Sequence, residues 1–240
     1  RFSEDIDLNI ETESHPTEGQ RKKLKEVIVS IIDEFGFTLT NQENVRSRRD
    51  YNRYIVDYPT IFQTSYLKEH LIVETAVYIK AYPCKRMLAS SLICDYLERN
   101  GYADMIEQYG IQPFSLNVQS AERTLIDKVF ALGDYYLADA VYEHSRHVYD
   151  IYKLLEVVTL NDSVKELVQS VREERKPHVN CRSAKDDIDM NLLLQEILDK
   201  AIYKQDYEGI TAKILFEEVP YEIAADALRK VIESGVFSLM

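Results

Sequence analysis

Cysteine is scarce: Cys84, Cys94 and Cys181 are the only three among 240 residues, an odd number with no C-x-x-C pair. That usage excludes a disulfide framework and a cysteine-built structural zinc site, and it fits a reducing cytoplasm. Glycine (7) and proline (6) are also few, and tryptophan is absent. With 45% hydrophobic and 29% charged residues, the composition rules out collagen-like, mucin-like and broadly disordered chains. No apolar run approaches the roughly 20 residues that a membrane-spanning helix needs, and the first residues are too acidic for a signal peptide. A soluble, cytoplasmic protein with no membrane partner is expected. Its 28.0 kDa suffice for one compact domain with a helical extension or for two small domains.

Charge of positive sign is in short supply as well. The net charge is -12; residues 1–120 carry 14 basic and 18 acidic groups, a balance of -4, and residues 121–240 carry 15 and 23, a balance of -8. Binding to bulk nucleic acid through general electrostatics is therefore disfavoured, because that affinity comes from neutralising phosphates. A polynucleotide partner would need a local basic patch. Arg21, Lys22, Lys23 and Lys25 form one candidate, and Arg46, Arg48, Arg49 and Arg53 another. Solvated surface charge is the plainer account of both.

The pattern of what is present suggests α+β organisation. Ile6, Leu8 and Ile10 alternate as in a strand, with Ile6 and Leu8 directed to a core. From Thr17 to Gly36 apolar residues recur at three- and four-residue spacing, predicting a helix that Gly36 ends. Phe37 to Leu39 reads as a strand, 44–48 with 51–58 as a hairpin, and 71–79 as a strand rich in Val, Ile and Thr. Helices are expected near 87–99 and 103–109, then a strand at 114–118. Beyond Ser120 the periodicity is helical throughout, with helices near 121–137, 142–159, 163–174, 186–202, 209–217 and 221–234, and Pro177 and Pro220 mark breaks. Strands first and helices afterwards predict a mixed-sheet unit over 1–119 and a helical unit over 120–240.

Within the first strand, Asp5 and Asp7 are two apart and project to one face. Two convergent carboxylates form a hard-oxygen site suited to Mg²⁺, although D-x-D is also common on acidic surfaces. Glu74 interrupts the apolar run Leu71 to Val77, where an ionised side chain is costly unless it is paired, metal-bound or exposed at a sheet edge. On the helix near 121–137, Arg123, Asp127 and Asp134 define a polar face. Lys128 points about 100° from Asp127, toward the apolar stripe, so it either snorkels from the core edge or enters a cleft where it suits a phosphate. Arg146 and Asp150 have the spacing of a surface ion pair. His147 lacks a matching Cys or His and reads as structural, and the 17 tyrosines read mainly as core and rim.

Taken in order and spacing, Arg1 to Leu8, the strand with Glu74, Glu122-Arg123-Thr124 followed by Asp127-Lys128, and Arg146-His147-Val148-Tyr149-Asp150 resemble the AbiEii/AbiGii nucleotidyltransferase toxin family, which includes abortive-infection toxins and MenT enzymes. The resemblance covers about residues 1–160. It implies a polymerase-beta-like nucleotidyltransferase fold followed by a helical bundle, acting as the toxin of a two-gene system with a cognate antitoxin. It also implies that Asp5 and Asp7 bind metal with Glu74 as third acid, and that Ser3 is the small polar residue before them. By the same likeness, Lys128 contacts phosphate, and Arg146 and Asp150 are the ends of an R-x-x-x-D segment, with Arg146 at the nucleotide. The family's Gly-Gly-Thr or Gly-Ser loop lies upstream of the aspartates and is missing from a sequence that starts at Arg1. The expectation is a truncated product or a non-catalytic relative, inactive as this chain alone.

The function that follows is Mg²⁺-dependent transfer of a nucleoside monophosphate from an NTP to an acceptor hydroxyl. The tRNA 3′ end is the acceptor suggested by the family, with a protein side chain as the other open choice. Two alternatives of different class remain: a non-catalytic module that binds GTP or another NTP for regulation, and a structural scaffold.

Overall fold

The structure is a computed structural model that describes residues 5–10, 15–59, 69–77 and 83–238. Its first layer is a sheet of β1 (Asp5–Leu8), β2 (Thr38–Leu39), β3 (Tyr51–Asp57) and β4 (His70–Ala76), in the order β1-β4-β3-β2. β1 runs parallel to β4, while β3 is antiparallel to both β4 and β2. The connection between β1 and β4 contains α1 (Glu18–Glu34). Thr17 and Gln20 form a capping box that starts this helix. Gly36, at φ +70°, supplies the left-handed residue that turns the chain into β2.

Alternation along β3 sends Asn52, Tyr54 and Val56 to the α1 side, where Tyr54, Val56 and Val73 pack with Ile28, Ile32 and Val45. α1 thus covers β3 and β4. Ile6 and Leu8, expected in the core, remain 44% and 40% exposed, because β1 is the edge strand and lies beyond the helix's reach.

A second, two-stranded antiparallel sheet pairs β5 (Cys84–Ala89) with β6 (Phe114–Gln119), enclosing α2 (Leu92–Arg99) and α3 (Ala103–Tyr109). The helix expected from Met87 thus begins at Leu92. Met87, Leu88 and Ala89 have good helix propensity, but they are opposite Leu116, Ser115 and Phe114, and Ser91 caps α2 through the Cys94 amide at 3.0 Å. The expected 44–48/51–58 hairpin is also replaced. Gln42–Asn44 is a 3-10 turn, β3 pairs with β2 and β4, and the Asn52 side chain ties both the amide and the carbonyl of Arg46 at 2.8 and 3.0 Å.

The remaining helices are α4 (Ala121–Leu137), α5 (Arg146–Leu154), α6 (Asp162–Arg175), α7 (Met190–Asp199), α8 (Lys204–Gly209) and α9 (Tyr221–Ser234). Leu125, Ile126, Val129 and Phe130 of α4 share one core with Val148 and Ile151 of α5, Leu194 of α7, Leu228 of α9 and Phe237. α5 starts later than its apolar pattern predicts. Asp206 of α8 accepts from the amides of Glu143 and Ser145 at 2.9 and 3.0 Å, and Glu143 sits at φ 65°, which holds 143–145 as a turn. α7 likewise starts late, capped by Asp189. The helix expected at 209–217 is instead the end of α8 and a 3-10 turn, Thr211–Ile214. The protein is thus α+β, with a four-stranded mixed sheet and a two-stranded sheet followed by a helical bundle.

The polar face of α4 is not solvated. Arg123 (2% exposed) donates to Asp127 at 3.0 Å and pairs with Glu174 at 3.0 Å; Arg175 of α6 bonds Asp127 at 3.1 Å and Asp134 at 2.9 Å. Ser183 donates its amide and hydroxyl to Asp134, both at 2.8 Å. Close approach of these elements depends on Gly133. A Cβ there would stand 2.8 Å from Ser183 Cβ and 2.9 Å from a Leu193 methyl. Gly133→Ala should therefore lower unfolding stability by about 1–3 kcal/mol despite alanine's better helix propensity, as read by chemical denaturation; a gain would show that α7 has room to retreat.

Candidate active site

The face of the first sheet opposite α1 carries the acidic cluster. In the parallel register of β1 and β4, Asp7 is opposite Glu74 and Asp5 is opposite Ile72, so Asp5, Asp7 and Glu74 share one face. β4 is an interior strand, which removes the edge-exposure account of Glu74. From β3, which places Tyr51 and Arg53 on the same face, the Tyr51 hydroxyl donates to Glu74 Oε1 at 2.8 Å and Arg53 Nε lies 3.5 Å from it.

Helices α4 and α5 complete the opposite wall. Arg146 at the start of α5 reaches across 141 sequence positions to bond Asp5 Oδ2 at 3.2 Å. One turn further, Asp150 places Oδ2 3.7 Å from Lys128 Nζ of α4. Both positive charges act on Asp7. The structure therefore brings Asp5, Asp7, Glu74, Lys128, Arg146 and Asp150 together between sheet and helices. Lys128 Nζ lies 3.7 Å from Asp150 Oδ2 and its charge acts on Asp7, so the ammonium stands beside the carboxylates while the rest of the side chain is mostly covered. Ser3 lies outside the described residues.

The Asp7 carboxyl has its pKa raised, first by desolvation and then by the Asp5 and Glu74 charges, with Lys128 and Arg146 opposing. A raised carboxyl pKa means that the folded state prefers the neutral acid, so ionised Asp7 costs stability once pH rises above its unfolded range near 3.8. Asp7→Asn should consequently raise the thermal midpoint at pH 7, with no gain below about pH 4. Wild type no less stable than the variant at pH 7 would show that the charge is already compensated.

Among the described residues, no three His, Cys, Asp or Glu side chains are already gathered as metal ligands. The donor chemistry nevertheless fits a hard divalent cation. Asp5, Asp7 and Glu74 offer carboxylate oxygens on one face, and the charge crowding felt by Asp7 is what a cation relieves.

Several basic residues are tied into the fold. Arg21 pairs with Asp50, Arg48 bonds Glu18 at 2.8 Å, and Lys25 Nζ donates to the Val45 carbonyl at 3.0 Å, so the two basic runs fasten α1 to the 45–50 loop. Sequence reasoning missed Tyr51 and Arg53 as partners of Glu74, since only strand register places them there.

A mixed sheet with two aspartates on its first strand, a third acid beside them and a lysine and arginine from the covering helices defines a nucleotidyltransferase fold. The family model of the nucleotidyl transferase AbiEii toxin of type IV toxin-antitoxin systems matches residues 1–232, and the chain belongs to that family. No curated protein and no solved structure matches it at a significant level. Among the described residues no helix is long and apolar enough to cross a membrane.

Proposed function

We propose that the protein transfers a nucleoside monophosphate from an NTP to an acceptor hydroxyl in the cytoplasm, as the toxin partner of an antitoxin encoded nearby. The acceptor oxygen bonds to the α-phosphorus, the bond to the β-phosphate oxygen breaks, pyrophosphate leaves, and the acceptor proton passes to the carboxylate cluster. The observation that carries this reading is the meeting of Asp5, Asp7 and Glu74 with Lys128, Arg146 and Asp150 across one cleft. Phosphoryl transfer needs that convergence, because positioning and charge stabilisation do nearly all of the work.

Asp5, Asp7 and Glu74 would hold Mg²⁺, which when bound polarises the phosphate and lowers the acceptor's pKa. Lys128 neutralises phosphate charge, Arg146 exchanges Asp5 for a phosphate oxygen, and Asp150 orients the acceptor or the nucleotide. Ser3 keeps the role implied by the family likeness, as a polar contact beside the aspartates. The mixed-sheet unit, 1–119, and the helical unit, 120–240, supply the two walls. The tRNA 3′ end is the acceptor of choice.

One observation favours a second reading, a non-catalytic NTP-binding module: Asp5 and Glu74 are both already engaged by arginines. The two readings separate when the complete gene product is incubated with each labelled NTP, Mg²⁺ and total tRNA, with and without chelator. Chelator-sensitive label on RNA supports transfer; saturable NTP binding without labelled product for any NTP supports the module.

A further inference from the structure

His147 is a buried side chain beside Asp150 that the proposed chemistry leaves unused. Its side chain is 6% exposed. The ring stacks with Tyr135 of α4, with centroids 5.8 Å apart and planes 14° apart, and with His144, at 6.1 Å and 13°. Tyr135 and His144 stack on each other at 3.4 Å. This arrangement fixes the plane of the imidazole. Its Nδ1 atom is buried and makes no hydrogen bond among the described residues, and Asp150 Oδ2 lies 3.7 Å from it. The same oxygen is 3.7 Å from Lys128 Nζ.

We propose that His147 is a positioning residue: a neutral imidazole carrying its proton on Nδ1, which donates to Oδ2 of Asp150 and holds that carboxylate in place when Lys128 moves to a phosphate. The inference rests on the nucleotidyl-transfer reading. Three physical points support it. A buried donor left unpaired costs about 1–3 kcal/mol, so shortening the contact to an ordinary distance of about 3 Å is favourable. The groups facing the ring are Lys128 and Tyr135 from α4, Arg146 and Asp150 from its own helix, and His144 from the preceding turn. Desolvation above all, together with the Lys128 and Arg146 charges, lowers the His147 pKa to about 3 against the opposing pull of Asp150. The ring is thus neutral near pH 7 and has one N–H to give. With Lys128 engaged elsewhere, that N–H can still orient Asp150 from the fixed plane of the ring.

His147→Phe keeps an aromatic ring in the stack and deletes the donor, whereas His147→Asn returns an N–H close to the Nδ1 position. With the complete gene product, His147→Phe should lower kcat by about 10- to 100-fold with little change in KM, the scale of loss seen when an outer-shell partner is removed. His147→Asn should recover most of that loss. In an Asp150→Ala background, His147→Phe should add nothing further. Long-range ¹H–¹⁵N spectra of histidine-labelled protein should show His147 as the neutral Nδ1–H tautomer between about pH 5 and 8.

The proposal is overturned if His147→Phe turns over like wild type. It is also overturned if His147→Asn is folded yet as slow as the phenylalanine variant, or if the loss persists unchanged without Asp150. An Nε2–H tautomer overturns it whether or not transfer is detected. If wild type transfers no nucleotide while the Nδ1–H tautomer is present, the transfer reading falls and the His147–Asp150 contact stands.

Discussion

Lys128→Ala is expected to abolish growth inhibition and to lower nucleotide transfer by about 10²- to 10³-fold, the usual cost of deleting one preorganised charge from a transition state. Asp5→Ala, Asp7→Ala and Asp150→Ala should also abolish toxicity. The reason lies in the geometry. Lys128 Nζ is 3.7 Å from Asp150 on one wall, and its charge acts on Asp7 on the other. A positive charge held there offsets the negative charge that accumulates on phosphate oxygens. Transfer kinetics on the complete gene product, with unfolding followed in parallel, check the prediction. Retained toxicity in folded Lys128→Ala would leave the lysine with only its packing against the helical core.

Arg175→Met should destabilise the protein by about 3–5 kcal/mol, the cost of breaking a buried ion pair from one side, which for a chain of this size lowers the thermal midpoint by roughly 6–20 °C. Arg175 bonds Asp127 and Asp134 at 3.1 and 2.9 Å, and its guanidinium lies 5.4 Å from the Phe130 ring centroid. Methionine fills comparable space but leaves both carboxylates short of a partner. Arg123, Gln119 and Ser183 still bond them, so the fold survives at lower stability rather than collapsing. Because the pair is buried, about 0.5 M salt should change the difference little. A loss below about 1 kcal/mol in denaturant titrations would place these groups in the class of solvated surface pairs.

The same network lies one residue from Lys128 in sequence, which links stability to the site. Asp127 anchors α4 to α6 while its neighbour Lys128 faces the cleft, so α4 is held rigid where the lysine emerges. Sequence reasoning identified Arg123, Asp127 and Asp134 as a polar face but not that α6 would cover it. Nothing local announces the partner: Arg175 and Asp134 are 41 positions apart.

Where the determining interactions span a few residues, the sequence alone was sufficient. The 3.6-residue period beyond Ser120 defined α4 with both ends as predicted, and the apolar spacing from Thr17 marked the start of α1. Two-residue alternation placed Asp5 and Asp7 on one face, and the family likeness named the segments that meet them. Tertiary structure decided the rest. Cross-strand pairing with β6 made a strand of Met87 to Ala89 against their propensity, and Asp206 delayed the start of α5. Arg146, spaced to pair with Asp150 on its own helix, instead bonds Asp5 of β1. Local signals report the cost of a backbone conformation, a few tenths of a kcal/mol to about 1 kcal/mol per residue. Burial of surfaces brought together from distant segments outweighs that cost, and only the folded chain shows which surfaces those are.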